Sequence, residues 1–291
     1  MEDLLRPIYQ ERASDPRTLG VLRVEKHLTS SPVTDNFDTI LLIVVTEQAS
    51  EWSVKHYEFE SGTAALHSVT AEKLREWIEF SGYRRMFQWV SQGQILFDRN
   101  EYLYNLKEEV NMFPKEQREL KMAMEFAKGA RSYKEAVELY DTSNLLDSYN
   151  KIIRSLHALA RLTILEQGYH PELMVWEQVK RIDPAIHKLY QELITSDEQL
   201  NERIELMMLA IDFTLGNKVD VAIKHLQSVL KEKNEPWAFG ELKQHPALAP
   251  YALDLGMMVH YLVDKNRLKV KRMKTKGEGV YHRLYQLTDQ P

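Results

Sequence analysis

Apolar positions change their spacing near residue 114. Before it they come as short runs, LGVLRV (19–24), FDTILLIVV (37–45), GTAALHSVT (62–70) and QILFDRN (94–100). Runs of this length bounded by polar loops predict buried strands. Two helices are expected among them. Residues 1–15 group Leu4, Leu5, Ile8 and Tyr9 on one side ahead of Pro16, and AEKLREWIEF (71–80) repeats Leu74, Trp77 and Ile78 at helical spacing behind Thr70, a residue suited to cap it. The first 110 residues therefore read helix, strand, strand, helix, strand, an α/β or α+β domain with a mixed sheet.

Beyond Pro114 the period becomes helical. Residues 144–167 carry Leu145, Tyr149, Ile152, Leu156, Leu159 and Ile164 on one stripe, with Gly168 as the stop. Pro171 and Pro184 are each read as opening a helix, and Asp197 as capping a fourth that ends at Gly216 and Asn217. Further on, residues 219–233, WAFGELKQHP (237–246) and residues 251–266 are read as helices. RLKVKRM and GVYHRLYQL then read as strands joined by KTKGEG, a turn rich in glycine. Three helices and a hairpin are the layout of a winged helix-turn-helix. The expected domains are residues 1–113, 114–217 and 218–291: an α+β mixed sheet with flanking helices, a helical bundle and the winged helix.

Composition narrows the chemistry. The chain has 291 residues and no cysteine, so thiolate metal sites and cysteine nucleophiles are excluded, and a metal here needs carboxylate, hydroxyl or imidazole ligands, which suits Mg2+. The longest apolar run is far shorter than the roughly 20 residues of a membrane helix, and the first residues lack a secretion signal, so the expectation is a cytoplasmic protein with no membrane partner. A net charge of -5 argues against nucleic-acid binding by the whole surface. The C-terminus is the exception: Lys269, Lys271, Arg272, Lys274, Lys276 and Arg283 form a basic island, a candidate DNA- or RNA-binding wing.

The acidic entry to the apolar run, DNFDTILLIVV from Asp35 to Val45, holds the candidate catalytic carboxylates Asp35 and Asp38. The order of strand, loop, acidic motif, helix and the strand GQILFDRN resembles the polymerase-β type nucleotidyltransferase domain. The helices behind it are similar to the C-terminal half of kanamycin nucleotidyltransferase. Over nearly the whole chain, including QGYHPELMVWEQVKRIDPAIHKLYQELI and the winged end, the order most resembles the YgxA-type nucleotidyltransferase-like proteins of Gram-positive bacteria. Active relatives place a Gly-Ser pair after the first strand, an Asp-x-Asp on the next and a third carboxylate on a neighbour. Positions i and i+2 share a strand face, so two carboxylates reach one Mg2+ pair that binds the NTP.

Aligned to that pattern, Asp38 takes the first carboxylate and the metal, Ile40 stands at the second, and Ala65 falls near the third. Lys26 and His27 fall near the Gly-Ser pair. With Ser30 and Ser31 they are candidate nucleotide-binding residues. The resemblance thus implies a nucleotidyltransferase-like protein with degraded chemistry that binds a nucleotide or nucleic acid as a regulatory protein. Two alternatives stay open: an active Mg2+-dependent enzyme moving NMP from an NTP, and a DNA-binding regulator with a ligand-sensing first domain. A homodimer is open by resemblance alone.

Overall fold

The computed structural model describes residues 2–26, 32–80 and 83–288. They form two compact units that meet in sequence at Pro114 and Lys115.

The first unit runs α1 (Glu2–Ser14), β1 (Thr18–Glu25), β2 (Thr39–Val45), β3 (Trp52–Phe59), β4 (Gly62–Thr70), α2 (Ala71–Phe80), α3 (Arg84–Gln92), β5 (Gln94–Asp98) and α4 (Tyr102–Met112). Its five strands lie in the order β3-β4-β2-β1-β5, with β2 and β4 parallel and the other pairs antiparallel. Every residue of β2 is buried, which explains the unbroken apolar run: a central strand covered on both faces has no polar side. Ile40, Leu42 and Val44 face α2, α3 and α4, while Leu41, Ile43 and Val45 face the side where Leu5 of α1 packs. The Thr70 hydroxyl caps α2 by accepting the amide of Lys73 at 3.3 Å.

The sequence reading leaves out β3. It is an edge strand, mostly exposed, and its mixture of Lys55, His56 and Glu58 with apolar residues gives no run to detect.

The second unit is built on α5 (Lys115–Asp141), which packs along α6 (Leu145–Glu166). Buried hydroxyls join them: Ser155 donates to the Gly129 carbonyl at 3.0 Å and Ser148 to that of Ala136 at 2.8 Å. Around these follow α7 (Val175–Ile182), α8 (Pro184–Thr195) and α9 (Leu200–Ala222). Two expected boundaries move. Pro171 opens no helix, because the Gln178 side chain binds the His170 carbonyl and the Glu172 amide, both at 2.8 Å, and holds that stretch as a loop. Gly216 and Asn217 do not end α9. Leu215, Val219 and Ala222 are buried on the same helix, and their packing outweighs the roughly 1 kcal/mol that a mid-helix glycine costs.

The C-terminal part continues with α10 (Lys224–Leu230), β6 (Trp237–Ala238), α11 (Phe239–Gln244), α12 (Leu255–Asp264), β7 (Leu268–Lys274) and β8 (Tyr281–Leu287). The sheet order is β6-β8-β7. Trp237 and Ala238, read from sequence as helix, instead form a short strand on β8, and the helix expected over 219–233 is divided between α9 and α10. A 3-10 turn over Pro246–Tyr251 replaces the first turn expected before α12. No helix among the described residues is long and apolar enough to cross a membrane.

Candidate functional site

The chain enters β2 through a 3-10 turn, Pro32–Thr34, followed by Asp35 and Asn36 in left-handed backbone at φ 52° and 71°. Asp and Asn tolerate that region better than most residues, so this tight entry uses the residue types that suit it. The turn aims the two carboxylates apart. Asp35 accepts the Tyr83 hydroxyl at 3.0 Å and pairs with the Arg85 guanidinium at 2.8 Å; Arg85 also donates to the Pro32 carbonyl. Asp38 accepts the Thr63 amide at 2.8 Å and the Thr63 hydroxyl at 3.1 Å. Those two bonds, with the Lys26 charge in support, hold its pKa below the usual carboxylate range.

The position two residues into the strand decides what this entry can do. Ile40 lies beside Ala65 in the parallel pairing of β2 and β4, and neither is more than 1% exposed. Both belong to the core that α2, α3 and α4 cover. Where a two-metal site needs its second and third carboxylates, this sheet presents two packed apolar side chains, which do not fit Mg2+. Among the described residues no three carboxylates or imidazoles gather to hold a metal. His27, Ser30 and Ser31 lie outside the described residues; Lys26 is described, and its amide donates to the Asp38 carbonyl at 3.0 Å.

Sequence reasoning missed a ring cluster beside this entry. Trp52, His67, Trp77, Tyr83 and Trp89 contact one another with ring centroids 4.7–5.9 Å apart. The Trp52 indole donates to His67 Nδ1 at 3.2 Å, and the Trp89 indole to the Val33 carbonyl at 2.7 Å. Burial lowers the His67 pKa to about 4, so the ring is neutral at pH 7 with its proton on Nε2. These residues come from β3, β4, α2, α3 and, for Tyr83, the position just before α3.

In the basic hairpin, the pairing of β7 with β8 sorts the cations by face. Arg272 sits directly opposite Arg283 and shares its face with Lys274, while Lys269 and Lys271 point to the other face and Lys276 lies in the turn. Two like charges placed opposite each other cost the hairpin stability. The preceding helix differs from its sequence reading. Tyr251, read as the first residue of this helix, lies in the 3-10 turn before it, is 1% exposed and bonds His225 Nδ1 at 2.9 Å. Asp254 is held by Arg131 at 3.0 Å, and Asp264 pairs with Lys134, so both ends of α12 are tied to α5.

Comparison with known proteins matches the chain in three successive regions. Residues 1–118 match a nucleotidyltransferase-like family, 119–218 a YgxA-like substrate binding domain and 224–287 a helix-turn-helix domain. The uncharacterized protein YgxA of Bacillus subtilis (strain 168) is 45% identical over 98% of this chain and 97% of its own length. The chain belongs to the YgxA family. A crystal structure of a nucleotidyltransferase-like protein from Exiguobacterium sibiricum 255-15 is similar over 99% of both chains, with a TM-score of 0.79 and 38% identity. For this YgxA-family chain the three matched regions establish a nucleotidyltransferase-like domain, a substrate-binding domain and a helix-turn-helix. In the middle region the Glu166 carboxylate is paired with Lys218 at 2.5 Å. His157 accepts the Trp176 indole at 3.1 Å, in a ring group where Trp176 stacks on Tyr190.

Proposed function

We propose that this YgxA-family protein is a catalytically degenerate nucleotidyltransferase that acts in the cytoplasm as a nucleic-acid-binding regulatory protein. The observation that carries the loss of chemistry is the buried Ile40–Ala65 pair, beside which Asp38 is the one carboxylate on the matching strand face. Asp38 has a protein partner in Thr63, so folding alone accounts for a carboxylate here: one that accepts an amide and a hydroxyl at the strand entry stabilises the turn into β4. The active-enzyme alternative lacks the second and third ligands.

Nucleic-acid contact is assigned to the wing. Arg272, Lys274 and Arg283 on one face would lie along phosphates, a mode that binds without reading sequence. Major-groove reading by α12 is disfavoured, because Met257, His260 and Asp264 line a cleft with Lys134 and Arg283 rather than standing clear of the protein.

The test is label transfer. The protein is incubated with α-phosphate-labelled NTPs, Mg2+ and either RNA or a small-molecule extract. No Asp38-dependent incorporation is expected; transfer that disappears in Asp38→Ala would restore the enzyme reading.

A further inference from the structure

The second unit holds a charged cavity that none of the preceding reading uses. It lies between α5 and α6, has a volume of about 490 Å3, and falls within the size range of small-molecule sites. Ala158 lines it, at a point where the helices run close: a Cβ added to Gly129 would sit 3.4 Å from that of Ala158. Small residues there bring the two backbones together, and the long side chains on either side rise as walls.

Those walls are cationic. Lys128 and Arg131 come from α5, and Lys151, Arg154 and Arg161 from α6. Three carboxylates line the same space, which leaves two positive charges in excess. The carboxylates work as spacers. Glu125 lies between Lys128 at 2.9 Å and Arg161 at 3.7 Å, and Glu135 between Arg131 at 2.7 Å and Lys151. Asp254 takes the other edge of the Arg131 guanidinium. Bridged in this way, four of the cations are held in place before any ligand arrives, which reduces the ordering cost of binding. Arg154 is different: it is exposed and makes no ion pair among the described residues. It stands three residues from Lys151 on one face of α6, a like-charge arrangement that an isolated helix disfavours.

We infer that this cavity binds a small phosphorylated molecule, with Arg154 as the arm that closes on its phosphate. Guanidinium groups match phosphate oxygens with paired N–H donors, and a mixed Arg and Lys lining supplies both forked and point-like contacts. An apolar ligand would desolvate Arg154 without giving it a partner and leave the excess positive charge unmatched. All the lining residues except Asp254 fall in the region matched by the substrate-binding family, whose description specifies no substrate. The inference is independent of whether the sheet of the first unit retains chemistry.

The test uses inorganic pyrophosphate as the probe, titrated calorimetrically into the full chain at low salt without Mg2+. Saturable binding is expected, weakened at least tenfold in Arg154→Glu and to a lesser extent in Arg154→Ala, with the thermal midpoint of both variants within a degree or two of the parent. The binding should survive Asp38→Ala and the wing variant Arg272→Glu/Lys274→Glu. No heat at millimolar pyrophosphate, binding unchanged in Arg154→Glu, or binding lost with the wing variant would each overturn the assignment.

Discussion

Replacing Ile40 by aspartate would rebuild the relatives' Asp-x-Asp in sequence, and the structure predicts that it would unfold the sheet rather than restore a metal site. Ile40 is fully buried between β1 and β4 and packs in the core under α2, α3 and α4. Removing its apolar side chain forfeits about 1.5–3 kcal/mol of burial. Placing a carboxylate there adds several kcal/mol, either as the effective penalty of a buried charge or as the cost of keeping it protonated at pH 7. The total, about 5 kcal/mol or more, is comparable to the stability of a whole domain, commonly 5–15 kcal/mol. Ile40→Val, which removes one methylene, should cost only about 0.5–1.5 kcal/mol. Urea unfolding followed by tryptophan fluorescence reads both, since Trp89 lies in the affected core and Trp77 packs against it. If Ile40→Asp were as stable as Ile40→Val, or gained Mg2+ affinity, the position would be a ligand site with room for a carboxylate, and the reasoning would fail.

Other predictions follow from the same geometry. His67 stays neutral in the fold down to about pH 4 while the unfolded chain protonates near 6.5, so the unfolded state binds the extra proton and stability falls as pH drops through that window. Between pH 7.5 and 5 this amounts to about 2 kcal/mol, read as the slope of wild-type urea stability that His67→Gln lacks; equal slopes would refute it. An added Cβ at Gly20 would meet Leu103 at 2.3 Å, so Gly20→Ala should destabilise by about 1–3 kcal/mol through overpacking, measured by thermal unfolding, and no loss would show that Leu103 moves freely aside. Neutralising Arg272 and Lys274 should weaken binding to a fluorescent RNA or DNA duplex without regard to sequence, and each should lower the salt slope by about one. A sequence-selective loss in anisotropy titrations would point instead to base contacts.

Much of this was legible in the chain. The apolar run of β2 announces a central strand because nothing polar interrupts it from Ile40 to Val45, and the absence of a carboxylate at Ile40 was visible once the family's Asp-x-Asp pattern was laid on the strand. The wing was legible from its lysines and glycine turn. What the sequence concealed depends on distant partners. Asp35 finds Tyr83, 48 residues away, and no local pattern pairs them. β3 is hidden because an exposed edge strand need not alternate, and α9 passes Gly216 because buried neighbours on either side decide against a local helix breaker. The charged cavity escaped for a related reason: Arg154 and Lys128 look like ordinary solvated helix residues until α5 and α6 are set side by side.

The central claim is that the entry to β2 no longer supports metal-dependent nucleotide chemistry. Calorimetric titration with ATP, GTP, CTP and UTP, with and without Mg2+, in wild type and Asp38→Ala, tests it most directly. Any heat of binding is predicted to be independent of Mg2+ and the same in both proteins, as expected for phosphates held elsewhere by Arg154 and its neighbours. Binding that requires Mg2+ and vanishes in Asp38→Ala would contradict the account and return Asp38 to a working metal site.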